Sequence, residues 1–327
     1  SSNNVKQNST LVTVTGAIGI CDGGDLDTTC WINRTHYVNS TDNILSANNV
    51  IINGSGSIIN NTAINYKINL SGDLKIYNGG LINLSGYSCS SGTCTLGGNI
   101  TIIANVVNVS GTMASDGGAT TGSGIGHYPG TGGTITINAS KIYVGTNSLI
   151  SASSDDLRDS TSGFEGTAGG NINLNATLIN ITGTIKAVGG NGDKDTCSCG
   201  NDQGRKGSGG IVNITTQIIE NTGFINVEKG PIGYCDGKAL NNDGRDGQIW
   251  INNTFSPCNN GTIFDADFSK TCKITKGIRA PNDYVVNLSG KNYTLGPGAR
   301  LNADGQACGS GTCQSGESFT IIVDVLN

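Results

Sequence analysis

One phrase recurs five times between residues 97 and 249, and it narrows the folds open to this chain more than any other feature. A glycine pair or Asp-Gly is followed by a run that alternates apolar and polar residues. The runs are NITIIA (99–104), TITINA (134–139), NINLNA (171–176), IVNITT (211–216) and QIWINN (248–253). Counted from the second residue of each glycine step, positions two and four further on are always aliphatic: Ile100/Ile102, Ile135/Ile137, Ile172/Leu174, Val212/Ile214 and Ile249/Ile251. Side chains on a strand alternate between faces, so these aliphatics share one wall. A single such unit cannot bury its apolar face without neighbours above and below, and fixed-period self-similarity therefore predicts a stacked repeat.

Each glycine step opens a coil of roughly 35–40 residues, a length that signals a repeat array. A second short strand follows the first (VVNVSG 106–111, KIYVG 141–145, LINITG 178–183, QIIENTG 217–223). A third comes next (TMAS 112–115, SLISA 148–152, TIKAVGG 184–190, FINVEKG 224–230), and a polar, Gly-rich excursion closes the coil. Helical spacing of apolar residues is nowhere sustained. The expected fold is all-β, a parallel β-solenoid with three short strands and a long Gly-rich loop per coil. With 51 glycines in 327 residues, about twice the usual share, the chain is expected to turn many corners with unusual backbone angles. Aromatics are 5% and charged residues 13%, and the low charge calls for another solubilising coat.

N-linked glycan is the expected coat. The sequon N-x-S/T occurs at Asn8, Asn33, Asn39, Asn53, Asn60, Asn69, Asn83, Asn99, Asn108, Asn138, Asn175, Asn180, Asn213, Asn252, Asn260, Asn287 and Asn292. Composition alone would give about eight. Within the repeats Asn99, Asn138, Asn175, Asn213 and Asn252 all fall at odd positions, on the wall opposite the aliphatics. Asn and Thr are also ordinary solvent-face residues of such a stack, so the pattern has a plain structural meaning as well.

Eleven cysteines without paired CxxC knuckles suggest disulfides rather than zinc. Proximity pairs Cys21 with Cys30, Cys89 with Cys94, Cys258 with Cys272 and Cys308 with Cys313. One of Cys197 and Cys199 is expected to bridge to Cys235 from the neighbouring coil, leaving one thiol over. Such stapling implies an oxidising compartment. No leader precedes Ser1 and no apolar run reaches membrane-spanning length, so the chain reads as a mature secreted protein. A net charge of −5 argues against nucleic acid as a partner.

The C-terminal region repeats the start of the stack. Residues 300–322 align without gaps on 81–103, matching Asn83/Asn302, Gly86/Gly305, Cys89/Cys308, Gly92/Gly311, Cys94/Cys313 and Ile102/Ile321. Upstream, VNLSG (286–290) echoes INLSG (68–72). The division expected is an N-terminal strand and Cys-bounded cap over 1–43, the solenoid over 44–255, and a C-terminal segment over 256–327 that repeats the first coil. An exit that copies the entrance is the geometry of head-to-tail stacking. The candidate assembly residues are Phe319, Ile321, Val323 and Val325, or else Val12 and Val14 of the alternating segment STLVTVTG (9–16).

Over residues 44–255 and the C-terminal copy, the pattern resembles right-handed parallel β-helix proteins, the pectin-lyase-like and filamentous-haemagglutinin-like group. The resemblance implies a right-handed β-helix and either adhesion or polysaccharide cleavage, the latter through clustered Asp or through Ca²⁺ with a basic residue. No NTD or RIK occurs here, and Asp155–Asp156 follows the lone Gly126–His127. The only other histidine, His36, has no nucleophile motif beside it, so no catalytic residues are assigned. Asp22/Asp25/Asp27, Asp193/Asp195, Asp243/Asp246 and Asp265/Asp267 could offer oxygen ligands to Ca²⁺, but Asp-Gly turn chemistry accounts for them equally, and no cofactor is expected. Trp31 and Trp250 form no sugar-stacking stripe. The expected role is a non-enzymatic, N-glycosylated structural subunit of a cell-surface filament or sheath, self-associating head-to-tail. A monomeric or trimeric adhesin or glycan-binding protein is the alternative, and a polysaccharide lyase or hydrolase the third.

Overall fold

The computed structural model describes residues 20–60, 63–90, 92–119, 129–154, 166–190, 207–230 and 247–252, together with the backbone of ten short strands between and beyond them. They contain strands and no helix. In chain order these begin β1 (Gly23–Gly24), β2 (Thr29–Ile32), β3 (Thr35–Tyr37), β4 (Ile44–Ala47), β5 (Asn49–Ile52), β6 (Ser57–Ile59), β7 (Asn65–Leu70), β8 (Leu74–Ile76) and β9 (Leu81–Asn83). There follow β10 (Asn99–Val109), β11 (Thr112–Ala114), β12 (Thr134–Val144), β13 (Leu149–Ser151), β14 (Asn171–Ile181), β15 (Thr184–Lys186), β16 (Lys194–Asp195), β17 (Ile211–Asn221) and β18 (Phe224–Asn226). The main stack closes with β19 (Tyr234–Cys235), β20 (Lys238–Ala239), β21 (Gln248–Ile251) and β22 (Thr254–Ser256).

The chain visits three faces in turn, and each visit pairs in parallel with the one before. The first face is β2, β5 and β8, continued by the second halves of β10, β12, β14 and β17. The second is the seven-stranded sheet β3-β6-β9-β11-β13-β15-β18. The third is β4 and β7, then the first halves of β10, β12, β14 and β17, then β21. Parallel strands cannot be joined by tight hairpins, and here each return to a face goes through the other two. On the first face the register advances by 20 residues from Cys30 to Val50, by 24 to Leu74, by 33 to Val107, by 35 to Ile142, by 37 to Ile179 and by 40 to Ile219. The early coils are short and lack the glycine step. Among the described residues the parallel stack thus starts at Thr29, inside the segment read from sequence as the cap.

The expected first and second strands are fused. Each of β10, β12, β14 and β17 is a continuous 11-residue strand that turns a corner by shifting its alternation. In β10, Ile100, Ile102 and Ala104 face inward, Asn105 and Val106 both face out, and Val107 and Val109 face in again. The inward corner position holds Ala104, Ala139, Ala176 or Thr216, since only a small side chain fits where two walls converge.

Ile135, Ile172, Val212 and Ile249 stack in register and are 0–1% exposed. They belong to one hydrophobic core running from Ile20 to Ile249. The glycine steps serve close approach rather than unusual backbone angles: among the described glycines only Gly24, Gly79 and Gly92 have positive φ. A Cβ on Gly210 would lie 1.9 Å from the Gly170 carbonyl oxygen, one on Gly170 1.9 Å from that of Gly133, and one on Gly133 2.0 Å from that of Gly98.

Both ends of the twelve-stranded sheet carry short antiparallel strands, β1 on β2 and β22 on β21. Beyond them the chain builds a second set: β23 (Cys272–Ile274), β24 (Ile278–Arg279), β25 (Tyr284–Asn287), β26 (Tyr293–Leu295), β27 (Leu301–Asn302) and β28 (Phe319–Ile322). The pairs are β23 with β26, β24 with β27 and β25 with β28, all parallel. The same order joins β5 with β8, β6 with β9 and β7 with β10. Register steps agree as well: 21, 23 and 35 residues (Cys272↔Tyr293, Ile278↔Leu301, Tyr284↔Phe319) against 24, 24 and 34 (Val50↔Leu74, Ser57↔Leu81, Tyr66↔Ile100). The duplication legible in residues 300–322 therefore extends over two coils.

Candidate assembly edges and glycan-bearing wall

Outward positions on the third face line up in columns. One column runs Asn69, Ile103, Asn138, Asn175, Thr215, so three sequon asparagines share a line along the stack. On the first face Asn108, Tyr143, Asn180 and Glu220 form another, with sequons on alternate rungs. Asn33, Asn39, Asn69, Asn99, Asn175 and Asn252 are exposed, and Asn53, Asn83, Asn108, Asn138, Asn180 and Asn213 are half-buried. Asn60 differs: it is 7% exposed, and its Nδ2 donates to the Val38 carbonyl oxygen. Asn8, Asn260 and Asn292 lie outside the described residues, and of Asn287 only the strand backbone is described.

The wall is also a ladder of carboxamides. Asn99 Nδ2 donates to Asn65 Oδ1 (2.7 Å), Asn213 Nδ2 to Asn173 Oδ1 (2.8 Å), and Asn175 Nδ2 to Asn138 Oδ1 (3.4 Å). Asn180 Nδ2 reaches Glu220 Oε2 at 2.6 Å, and Asn53 Nδ2 donates to Asn33 Oδ1. Such side-chain pairs between neighbouring strands add to sheet stability. Asn65 and Asn173 carry no sequon and were not singled out from sequence. Their signal was the recurrence of Asn at one strand position in adjacent repeats, as with Asn173 and Asn213.

At the N-terminal end a charged knot sits beside the Cys21–Cys30 disulfide. Asp22 Oδ2 accepts from the backbone N–H of Asn33 (2.7 Å) and Arg34 (2.9 Å), while Oδ1 meets Arg34 Nε at 2.5 Å and His36 Nε2 at 3.1 Å. Burial pushes the Asp22 carboxyl up, but the Asn33 N–H, the His36 ring and the Arg34 N–H outweigh it and hold it below the usual carboxylate range. Asp25 accepts from the hydroxyl and N–H of Thr28, which hold its carboxyl low as well. Two of the three carboxylates of the suggested Ca²⁺ cluster, Asp22 and Asp25, thus serve as turn and cap acceptors. Among the described residues no three His, Cys, Asp or Glu side chains gather as metal ligands. The side chains of the other Asp pairs, and Asp155, Asp156 and His127, lie outside the described residues.

Cys21–Cys30 and Cys89–Cys94 are bonded. Cys197, Cys199, Cys258, Cys308 and Cys313 lie outside the described residues, as do the side chains of Cys235 and Cys272. Asp195 on β16 is the partner of Cys235 on β19, so parallel stacking extends into these two excursions. No helix of the described residues is long and apolar enough to cross a membrane.

Of the candidate assembly residues, Phe319 and Ile321 lie on β28, which pairs with β25 of its own chain. Val323, Val325, Val12 and Val14 lie outside the described residues. β10 holds β7 and β8 on one edge and β12 on the other, whereas β28 has a described partner on one edge alone. Compared with known proteins, the chain matches no family model, no curated protein and no solved structure.

Proposed function

We propose that this chain is a structural, non-enzymatic subunit of an extracellular, N-glycosylated cell-surface filament or sheath, assembled head-to-tail through terminal β-strands. In this reading the parallel stack is a right-handed β-helix akin to the pectin-lyase-like and filamentous-haemagglutinin-like proteins. The observation that carries it is the two-coil duplication, in which β23–β28 repeat the pairing order of β5–β10. A terminus that reproduces an internal rung can present to another subunit the edge that the rung presents internally, and heterologous contacts of that kind generate open fibres. The two disulfides fit an oxidising compartment, and the outward columns of sequon asparagines fit a sugar coat over a wall poor in charge.

A second reading, a discrete β-helical adhesin, draws on β1 and β22. They cover both ends of the twelve-stranded sheet antiparallel to its rungs, a device that blunts edge pairing. Electron microscopy of natively purified protein separates the two. Filaments are expected, with mass growing along one axis in sedimentation. Uniform particles of one or three chains at every concentration would overturn the filament reading.

A further inference from the structure

We infer that the outer edge of β28 receives residues 9–16 of a second copy of this chain as a parallel strand, in the register that β12 adopts on β10. The inference rests on the head-to-tail reading and specifies its joint.

The acceptor follows from the duplication. Phe319 faces Tyr284 as Ile100 faces Tyr66, and Ile321 faces Val286 as Ile102 faces Ile68. β28 is therefore the counterpart of the first half of β10. In the main stack the other edge of that half is filled by β12 through Ile100↔Ile135, Thr101↔Thr136, Ile102↔Ile137 and Ile103↔Asn138. A strand of the β12 kind is what the β28 edge fits: β-branched aliphatics at alternate positions inward, Thr or Asn outward.

Residues 9–16 have that character. Superposed on β12, Val12 and Val14 take the places of Ile135 and Ile137, Thr13 that of Thr136, Thr15 that of Asn138, and Gly16 that of the small corner residue Ala139. The sizes compensate. Phe319 is larger than its counterpart Ile100, and Val12 is smaller than Ile135, so the summed side-chain volume of the Phe319/Val12 pair is close to that of Ile100/Ile135. Residues 9–16 join the body at Ile20 and the Cys21–Cys30 hairpin, where β1 and β2 form the entrance of the stack. The three intervening residues span at most about 11 Å, so the strand is offered from the entrance end. Entrance of one copy on the C-terminal unit of the next is a head-to-tail contact whose main-chain bonds are those of strand addition.

The test uses full-length polymer assembled from equal parts of unlabelled and ¹⁵N-labelled chains carrying Thr320→p-benzoylphenylalanine. Irradiation should yield peptide pairs joining 319–322 to 9–16, half of them mixed in isotope. Cross-links to any other segment, unmixed pairs only, or none in polymer that has formed would each overturn the inference and leave the filament reading standing. Absence of polymer under every condition would sink the filament reading itself. Val14→Asp places a carboxylate in the joint and should raise the concentration for half-assembly at least about tenfold with unchanged circular dichroism. Unchanged assembly of that variant would also overturn the inference.

Discussion

Truncating Ile172 to alanine measures what one rung contributes. The side chain is 0% exposed, between Ile135 on β12 and Val212 on β17. The change removes three carbons, worth about 2.4 kcal/mol at about 0.8 per methylene. Ladders on both sides keep β14 from collapsing into the gap, so a cavity term of about 1 kcal/mol adds to this. The expected loss is about 3–4 kcal/mol. Ile103→Ala is the control: Ile103 lies on the outward column, 37% exposed, and should cost under about 1 kcal/mol. Stacked repeats need not unfold as one unit, so denaturant curves should be accompanied by native-state hydrogen exchange. Protection should fall first in β12, β14 and β17. Equal costs for the two variants, or protection lost only in distant coils, would refute the assignment of faces.

Gly210→Ala sets a methyl against the Gly170 carbonyl oxygen and should cost about 3 kcal/mol, read as a lowered denaturation midpoint. Tyr66 is 1% exposed, its hydroxyl has no hydrogen-bond partner among the described residues, and burial, with a smaller contribution from Asp42, pushes its phenol well above its ordinary value. Its folded pKa exceeds the unfolded one, so its contribution is intact below about pH 10 and declines as pH rises above that. Tyr66→Phe should be neutral or stabilising near pH 7 and should flatten the alkaline limb of a stability–pH curve. Asp22 has the opposite sign: its lowered carboxyl stabilises the cap above the ordinary carboxylate range and loses that contribution as pH falls through the folded pKa. The protection of the Asn33 and Arg34 amides, measured against their intrinsic exchange rates, should fall in acid, and Asp22→Asn should remove most of that pH dependence. Glycopeptide mapping of native protein should find sugar on exposed Asn69, Asn175 and Asn252 and none on Asn60, whose amide nitrogen is buried against Val38; a fully occupied Asn60 would contradict that packing.

The glycine-step repeat by itself determined the middle of this protein. Strict alternation leaves no freedom over which residues face inward, so Ile100 through Ile249 could be named from the sequence, as could the two short-range disulfides. The early coils escaped it because a rung of 20–24 residues needs neither excursion nor glycine step, and Thr29–Ile76 carries alternation too brief to count. Corners were misread for a related reason: Ala104 and its counterparts look like ordinary strand residues until the shift in alternation beside them is seen. Only the tertiary structure decided that the glycines admit neighbouring backbone, because a sequence shows a missing Cβ but not the carbonyl two ångströms from where it would stand. Only the structure showed that Asp22 is engaged by Asn33, Arg34 and His36, residues up to 14 positions away. The extent of the C-terminal copy likewise became visible through pairing alone. Its first coil, Cys272–Asn287, keeps the register of Val50–Asn69 while sharing few side chains with it, since backbone hydrogen bonding constrains spacing and inward polarity far more tightly than identity.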